Sequence, residues 1–173
     1  KLLFFGFIRP YKGVDVLLKA LPYTEGCELF IAGTGELEEE LKDFAQKNGV
    51  AERVHFLGFL PDEELKQAYA DCDIFVLPSV VKSEAFGIVQ IEAMVYGKPV
   101  INTALPSGVP YVSLHKQTGF TVRPSDPKML AKAINVLVSR PDYREKLGKA
   151  GAERVMEEFN EKNVIRRLYD ILS

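Results

Sequence analysis

The chain has little of what would mark a metal site, a disulfide framework, a nucleic-acid surface or a membrane span. Its 173 residues include two cysteines and two histidines, each isolated in its own segment. Cys27 and Cys72 lack metal-ligand spacing and suit a reducing, cytoplasmic compartment. His55 and His115 also stand alone, so no metal is expected. The net charge of -2 supplies no basic field for nucleic acid or an anionic bilayer. No apolar run approaches the roughly 20 residues a spanning helix needs. Residues 2–8 are apolar enough for the core of a signal peptide. They lack a basic leader and a small-residue cleavage site, and read better as a buried strand. Internal repeats and low-complexity stretches are missing too.

What is present is an ordinary globular composition, 47% apolar and 27% charged. The length allows one good core, or one half of a two-lobed enzyme. Short apolar runs alternate with helical patterns. Strands are expected at 2–7, 28–32, 54–57, 74–77, 99–102 and 119–122. Helices are expected at 14–21, 36–48, 61–70, 86–96, 127–138, 142–158 and 162–172. Such alternation predicts a parallel sheet covered on both faces, a doubly wound, Rossmann-like α/β fold. Its ligands bind beyond the carboxyl ends of the strands, so the informative loops are 8–13, 33–36, 58–61, 78–87 and 103–110. The chain opens inside a strand, which suggests an excised domain spanning 1–173 whose N-terminal partner lobe is absent.

The most informative residues are Glu84 and Glu92, in a segment reading Ser83-Glu84-Ala85-Phe86-Gly87-Ile88-Val89-Gln90-Ile91-Glu92. A helix over 86–96 is apolar on nearly every side and so expected to be buried. A carboxylate there needs a compensating partner: a ligand rich in hydroxyls, or a backbone group or Arg. Glu84 either caps this helix or accepts hydrogen bonds from sugar hydroxyls at a cleft. The N–H groups of Phe86, Gly87 and Ile88 would then face a phosphate, and Glu92 a second diol such as a ribose. In the first loop, Arg9 and Lys12 precede a helix whose N-terminus repels cations. Either both extend into solvent or they join backbone N–H groups in holding a phosphate or diphosphate. Gly33-Thr34-Gly35-Glu36 is a poor dinucleotide fingerprint, because the third glycine would fall at Glu38. Its glycines read as a tight turn admitting a ligand or a neighbouring backbone.

Together these loops resemble the C-terminal, donor-binding half of retaining glycosyltransferases of the GT-B architecture (family four, group 1). The match to Glu-x7-Glu by Glu84 and Glu92 is its most specific element. Pro10-Tyr11-Lys12-Gly13, Ala32-Gly33-Thr34-Gly35, Phe56-Leu57-Gly58, Gly97-Lys98-Pro99-Val100 and Thr118-Gly119-Phe120 support it in order and spacing. The resemblance implies a nucleotide-sugar donor, no cofactor and no metal. Lys12 would contact the diphosphate, Glu84 the donor sugar and Glu92 the ribose. Amides of Phe86 to Ile88 would meet the phosphate or sugar. The base would lie near Gly33, Thr34, Gly35 and the stretch ending at Leu60. The chain departs from the family pattern twice. Phe7 stands where a phosphate-binding Arg is usual, with Arg9 as its candidate replacement, and Tyr111 follows Pro110 in place of Glu. The implied activity is transfer of a hexose, of mannosyl or rhamnosyl type, to a glycan or lipid-linked acceptor. The implied place is the cytoplasm, peripheral to the inner face of the membrane through the missing lobe. Two other readings stay open: a non-catalytic nucleotide or phosphometabolite module, and a GT-B sugar-nucleotide epimerase.

Overall fold

A computed structural model describes residues 1–160. The helix expected at 162–172 lies outside them. Six strands form one parallel sheet: β1 (Leu2–Phe5), β2 (Leu29–Ala32), β3 (Val54–Gly58), β4 (Ile74–Val76), β5 (Val100–Thr103) and β6 (Gly119–Val122). Their spatial order is β3-β2-β1-β4-β5-β6, the doubly wound arrangement anticipated from the alternation. Register is set by side-chain parity. Leu2 and Phe4 of β1 enter one core with Leu29, Ile31, Ile74 and Val76. Leu3 enters the opposite core with Ala32, Phe75 and Leu77. Strands β1, β2 and β4 have almost no polar side to expose, which is why they read as continuous apolar runs.

The helices divide between these cores. Helices α1 (Val14–Ala20), α2 (Glu38–Lys47) and α6 (Pro127–Ser139) bury Leu17, Leu18, Leu41, Leu130 and Ile134 on the first face. Helices α3 (Asp62–Asp71), α4 (Val89–Val95) and α5 (Val109–Val112) bury Tyr69, Ala93, Met94, Val109 and Val112 on the second. The long α7 (Pro141–Glu158) supplies Leu147 to one and Val155 to the other. Sharp starts have local causes. Asp126 Oδ1 accepts the Met129 N–H at 2.9 Å to cap α6, with Pro127 at its first position. Three acids, Asp62, Glu63 and Glu64, occupy the first turn of α3.

Three expectations need correction. Strand β1 stops at Phe5, because Gly6 turns away with φ 146° and Phe7 is 69% exposed. The one-turn α5 was not foreseen; four residues carry too short a period to read. Helix α4 starts at Val89 instead of 86, and its apolar wall is not buried all round: Ile88 before it and Val95 within it face outward.

Candidate functional site

The strand order reverses between β1 and β4, and the loops leaving those strands meet there. The first makes a single 3-10 turn, Pro10–Lys12, before Gly13 opens α1. Gly13 has φ 69°, and a Cβ on it would collide with the Pro78 carbonyl oxygen of the second loop. The two loops are also joined by the Val80 N–H, which donates to the Tyr11 carbonyl at 2.9 Å. This seam brings Lys12 Nζ to 2.5 Å from Glu84 Oε2. Ser79 Oγ donates to the same oxygen at 2.9 Å. Behind it, Thr103 Oγ1 donates to the Ser79 carbonyl at 2.6 Å. The Lys12 and Glu84 side chains are 12% and 10% exposed. Charges so withdrawn from water persist because each compensates the other, and removing one is far more costly than the pair is stabilising. The second carboxylate oxygen, Oε1, has no hydrogen bond among the described residues. It is free to accept one from a ligand.

Glu84 does not cap α4. The helix has Ile88 at its N-cap with no side-chain cap bond, and Gly87 ahead of it is left-handed at φ 70°. A left-handed residue cannot lie inside a helix, which moves its start past Phe86. The loop is held instead from α5 and β5. Gly108 N–H donates to the Ala85 carbonyl at 2.7 Å, and Gln90 Nε2 to the Phe86 carbonyl at 3.0 Å. Asn102 Nδ2 in turn holds Gln90 Oε1 at 2.9 Å. Among the described residues no backbone carbonyl meets the N–H groups of Gly87, Ile88 or Val89.

Glu92 is half-buried, and its partner is a hydroxyl. Tyr69 of α3 donates to its Oε2 at 2.7 Å. Burial and this bond push the Tyr69 phenol well above its ordinary range, so it remains a donor. Arg9 is exposed at the N-cap of the 3-10 turn, a short step along the chain from Lys12. Gly33 and Gly35 pack against backbone: a Cβ on either would strike the carbonyl oxygen of Gly6 or Ile8. Thr34 is exposed, and its carbonyl accepts the Ile8 N–H at 2.9 Å. Leu60 is half-buried and lines a cavity of about 310 Å³ between α3 and the first strands, with Leu3, Phe30, Leu57 and Cys72. The structure thus joins Lys12 to Glu84 and gives Glu92 a separate anchor. Sequence reasoning noted Ser79 without giving it a role and passed over Tyr69. Ser79 could have been suspected from its place just after a strand, five residues before Glu84. Nothing in the chain's pattern links Tyr69 to Glu92, since the two sit on different helices.

No three His, Cys, Asp or Glu side chains among the described residues are grouped to hold a metal ion. No described helix is long and apolar enough to cross a membrane.

Residues 1–154 match the family model for glycosyl transferases group 1. The chain is 38% identical over 162 residues to a D-rhamnosyltransferase, WbpZ, of Pseudomonas aeruginosa, covering 91% of this chain and 41% of that protein. It is 32% identical over 163 residues to O-antigen chain mannosyltransferase C of Escherichia coli, covering 94% and 43%. The chain therefore spans less than half the length of these curated relatives. Among solved structures, Anabaena Alr3699/HepE in complex with UDP superposes with a TM-score of 0.89 at 25% identity, over 99% of this chain and 48% of that one.

Proposed function

The chain belongs to the glycosyl transferases group 1, and from that premise we propose that it is the donor-binding half of a retaining glycosyltransferase. Its donor is a nucleotide diphosphate hexose, of mannosyl or rhamnosyl type, and its acceptor a glycan or lipid-linked sugar. The observation that carries this reading is the buried Lys12–Glu84 pair at the point where the strand order reverses. It places one cation and one acceptor-only group side by side, the two functions a sugar diphosphate needs.

In this reading Lys12 moves from Glu84 to the diphosphate, joined by Arg9 and the free N–H groups around Gly87 and Ile88. Glu84 then accepts hydrogen bonds from the donor sugar, and Glu92 from the ribose. The base lies toward Gly33, Thr34, Gly35 and Leu60. The bond between the anomeric carbon and the diphosphate oxygen breaks as the acceptor oxygen bonds to the same face of that carbon. The acceptor proton passes to the departing diphosphate. Lys12 and Arg9 stabilise the charge that builds on the leaving group; Glu84 orients the sugar and does not attack. The relatives named as rhamnosyl- and mannosyltransferases support the sugar class, and the UDP in the HepE structure supports a nucleoside diphosphate. Acceptor groups come from an N-terminal lobe, which also supplies any peripheral attachment at the inner membrane face.

The test is calorimetric titration of the chain with UDP, GDP, dTDP and ADP, with Glu92→Ala as the control. Saturable binding of one diphosphate, weakened in the variant, is the expected result. If neither the chain nor the whole protein containing it binds any of the four, the donor-site reading fails.

A further inference from the structure

Resting on the donor-site reading, we infer that Tyr69 is a positioning residue that aims the Glu92 carboxylate at the hydroxyls of the donor's ribose. Glu92 sits in the first turn of α4, and its long side chain has several rotamers open to it at a half-buried surface. The Tyr69 hydroxyl removes that freedom by donating to Oε2 at 2.7 Å, from a different helix. Oε1 has no hydrogen bond among the described residues, so one oxygen is anchored and the other is left to a ligand. A carboxylate held in this way can accept from a vicinal diol without first losing side-chain entropy.

The anchor is itself closely packed. Tyr69 is 2% exposed, and its ring is enclosed by three others. Tyr96 stacks on it at 5.8 Å with planes 13° apart, Phe75 lies tilted at 5.7 Å, and Phe5 meets it edge-on at 6.2 Å. Phe5 ends β1, the strand whose following loop carries Lys12, while Tyr96 directly follows α4. Ring packing therefore ties the aim of Glu92 to the two elements that frame the Lys12–Glu84 pair. A buried phenol needs some hydrogen-bond partner, and satisfying the phenol is a sufficient reason for the contact on its own. Only a ribose-dependent effect separates that role from positioning.

Tyr69→Phe keeps the ring packing and deletes the hydroxyl alone. The measurement is the affinity of the protein containing this chain for UDP, GDP and ADP, and for their 2′,3′-dideoxy counterparts. The unsubstituted protein should prefer the ribose form of the nucleotide it binds by about tenfold or more, the range of a hydrogen bond to a charged group. Tyr69→Phe should reduce that preference several-fold and leave dideoxy affinity and thermal midpoint nearly unchanged. In a Glu92→Ala background the same substitution should have no further effect on the ratio, because residues that act through one another are not additive. An unchanged ratio in Tyr69→Phe, with ribose forms still binding, overturns the role of Tyr69 alone. A ratio that falls equally in the Glu92→Ala background also overturns it. Failure of the unsubstituted protein to bind any ribose form overturns the donor-site reading and this role together.

Discussion

At the residue scale the two ends of the Lys12–Glu84 bond have different consequences. Lys12→Ala strands a carboxylate that is 10% exposed, with Ser79 its one remaining hydrogen-bond partner among the described residues. It should destabilise the fold by about 3 kcal/mol in denaturant unfolding and also weaken nucleoside diphosphate binding. Glu84→Gln keeps the shape and the Ser79 contact while releasing Lys12 from its internal counter-charge. Free nucleoside diphosphate should then bind as well as before or better, while sugar transfer by the whole protein collapses. Calorimetry beside a turnover assay separates these effects; full transfer activity in Glu84→Gln would remove Glu84 from its assigned role. Glu92 stood out in the sequence because a carboxylate in an apolar segment demands an explanation, and Glu84 by its place in the loop ahead of that helix. Their partners stood out less. Lys12 lies 72 residues from Glu84, and Tyr69 belongs to a helix whose pattern reads as plain surface and core.

At the element scale, the loop after β1 depends on backbone shape as well as on its cations. Gly13 and Gly49 share a left-handed conformation, with φ 69° and 67°. Only at Gly13 does a Cβ meet another backbone; at Gly49 there is nothing within 4 Å. Gly49→Ala should cost about 1 kcal/mol from the left-handed strain alone. Gly13→Ala adds a collision with Pro78 and should cost about 3 kcal/mol or more, and it should also weaken diphosphate binding through displacement of Lys12. Equal losses of stability would mean that the seam between the two loops yields easily. Helix α3 gives a second handle. Burial pushes the Cys72 thiol just beyond its end up to about 12, so the folded state holds that proton after the unfolded chain has lost it. The stability this contributes is fully present below the ordinary thiol range and declines as pH rises from there toward about 12. Cys72→Ala should flatten that alkaline decline in unfolding midpoints measured across the interval. The boundaries of α4 were misread for a backbone reason of the same kind: the hydrophobic period runs smoothly through Gly87, and period alone does not register φ.

For the whole molecule, the layered fold was readable and the assembled site was not. The alternation of short apolar runs with helical patterns implied a parallel sheet covered on both faces. Which strand lies beside which is not encoded in any local run, yet that order brings β1 to β4 and Lys12 to Glu84. The same architecture leaves this crest of the sheet open, with Phe7, Phe59 and Ile88 at 69%, 80% and 65% exposure. Transfer chemistry requires water to be kept from the reacting carbon. The 173-residue chain alone should therefore bind donor nucleotide but give no transfer to an added glycan, read by incorporation of labelled sugar. Transfer by the chain alone would place the acceptor site within these residues.

The seam between the β1 and β4 loops also bears on how the protein acquires its site during synthesis. Lys12 leaves the ribosome long before Glu84, and closing a 72-residue separation carries an entropy cost that nearby contacts do not. A nascent chain ending before β4 holds β1, β2 and β3 but has no counter-charge for Lys12 and no reversal of strand order. Binding competence therefore does not accumulate strand by strand. It should wait until β4 pairs with β1, and β5 and α5 brace the loop that follows, so on the donor-site reading nucleotide capture during refolding should lag the pairing of β1, β2 and β3.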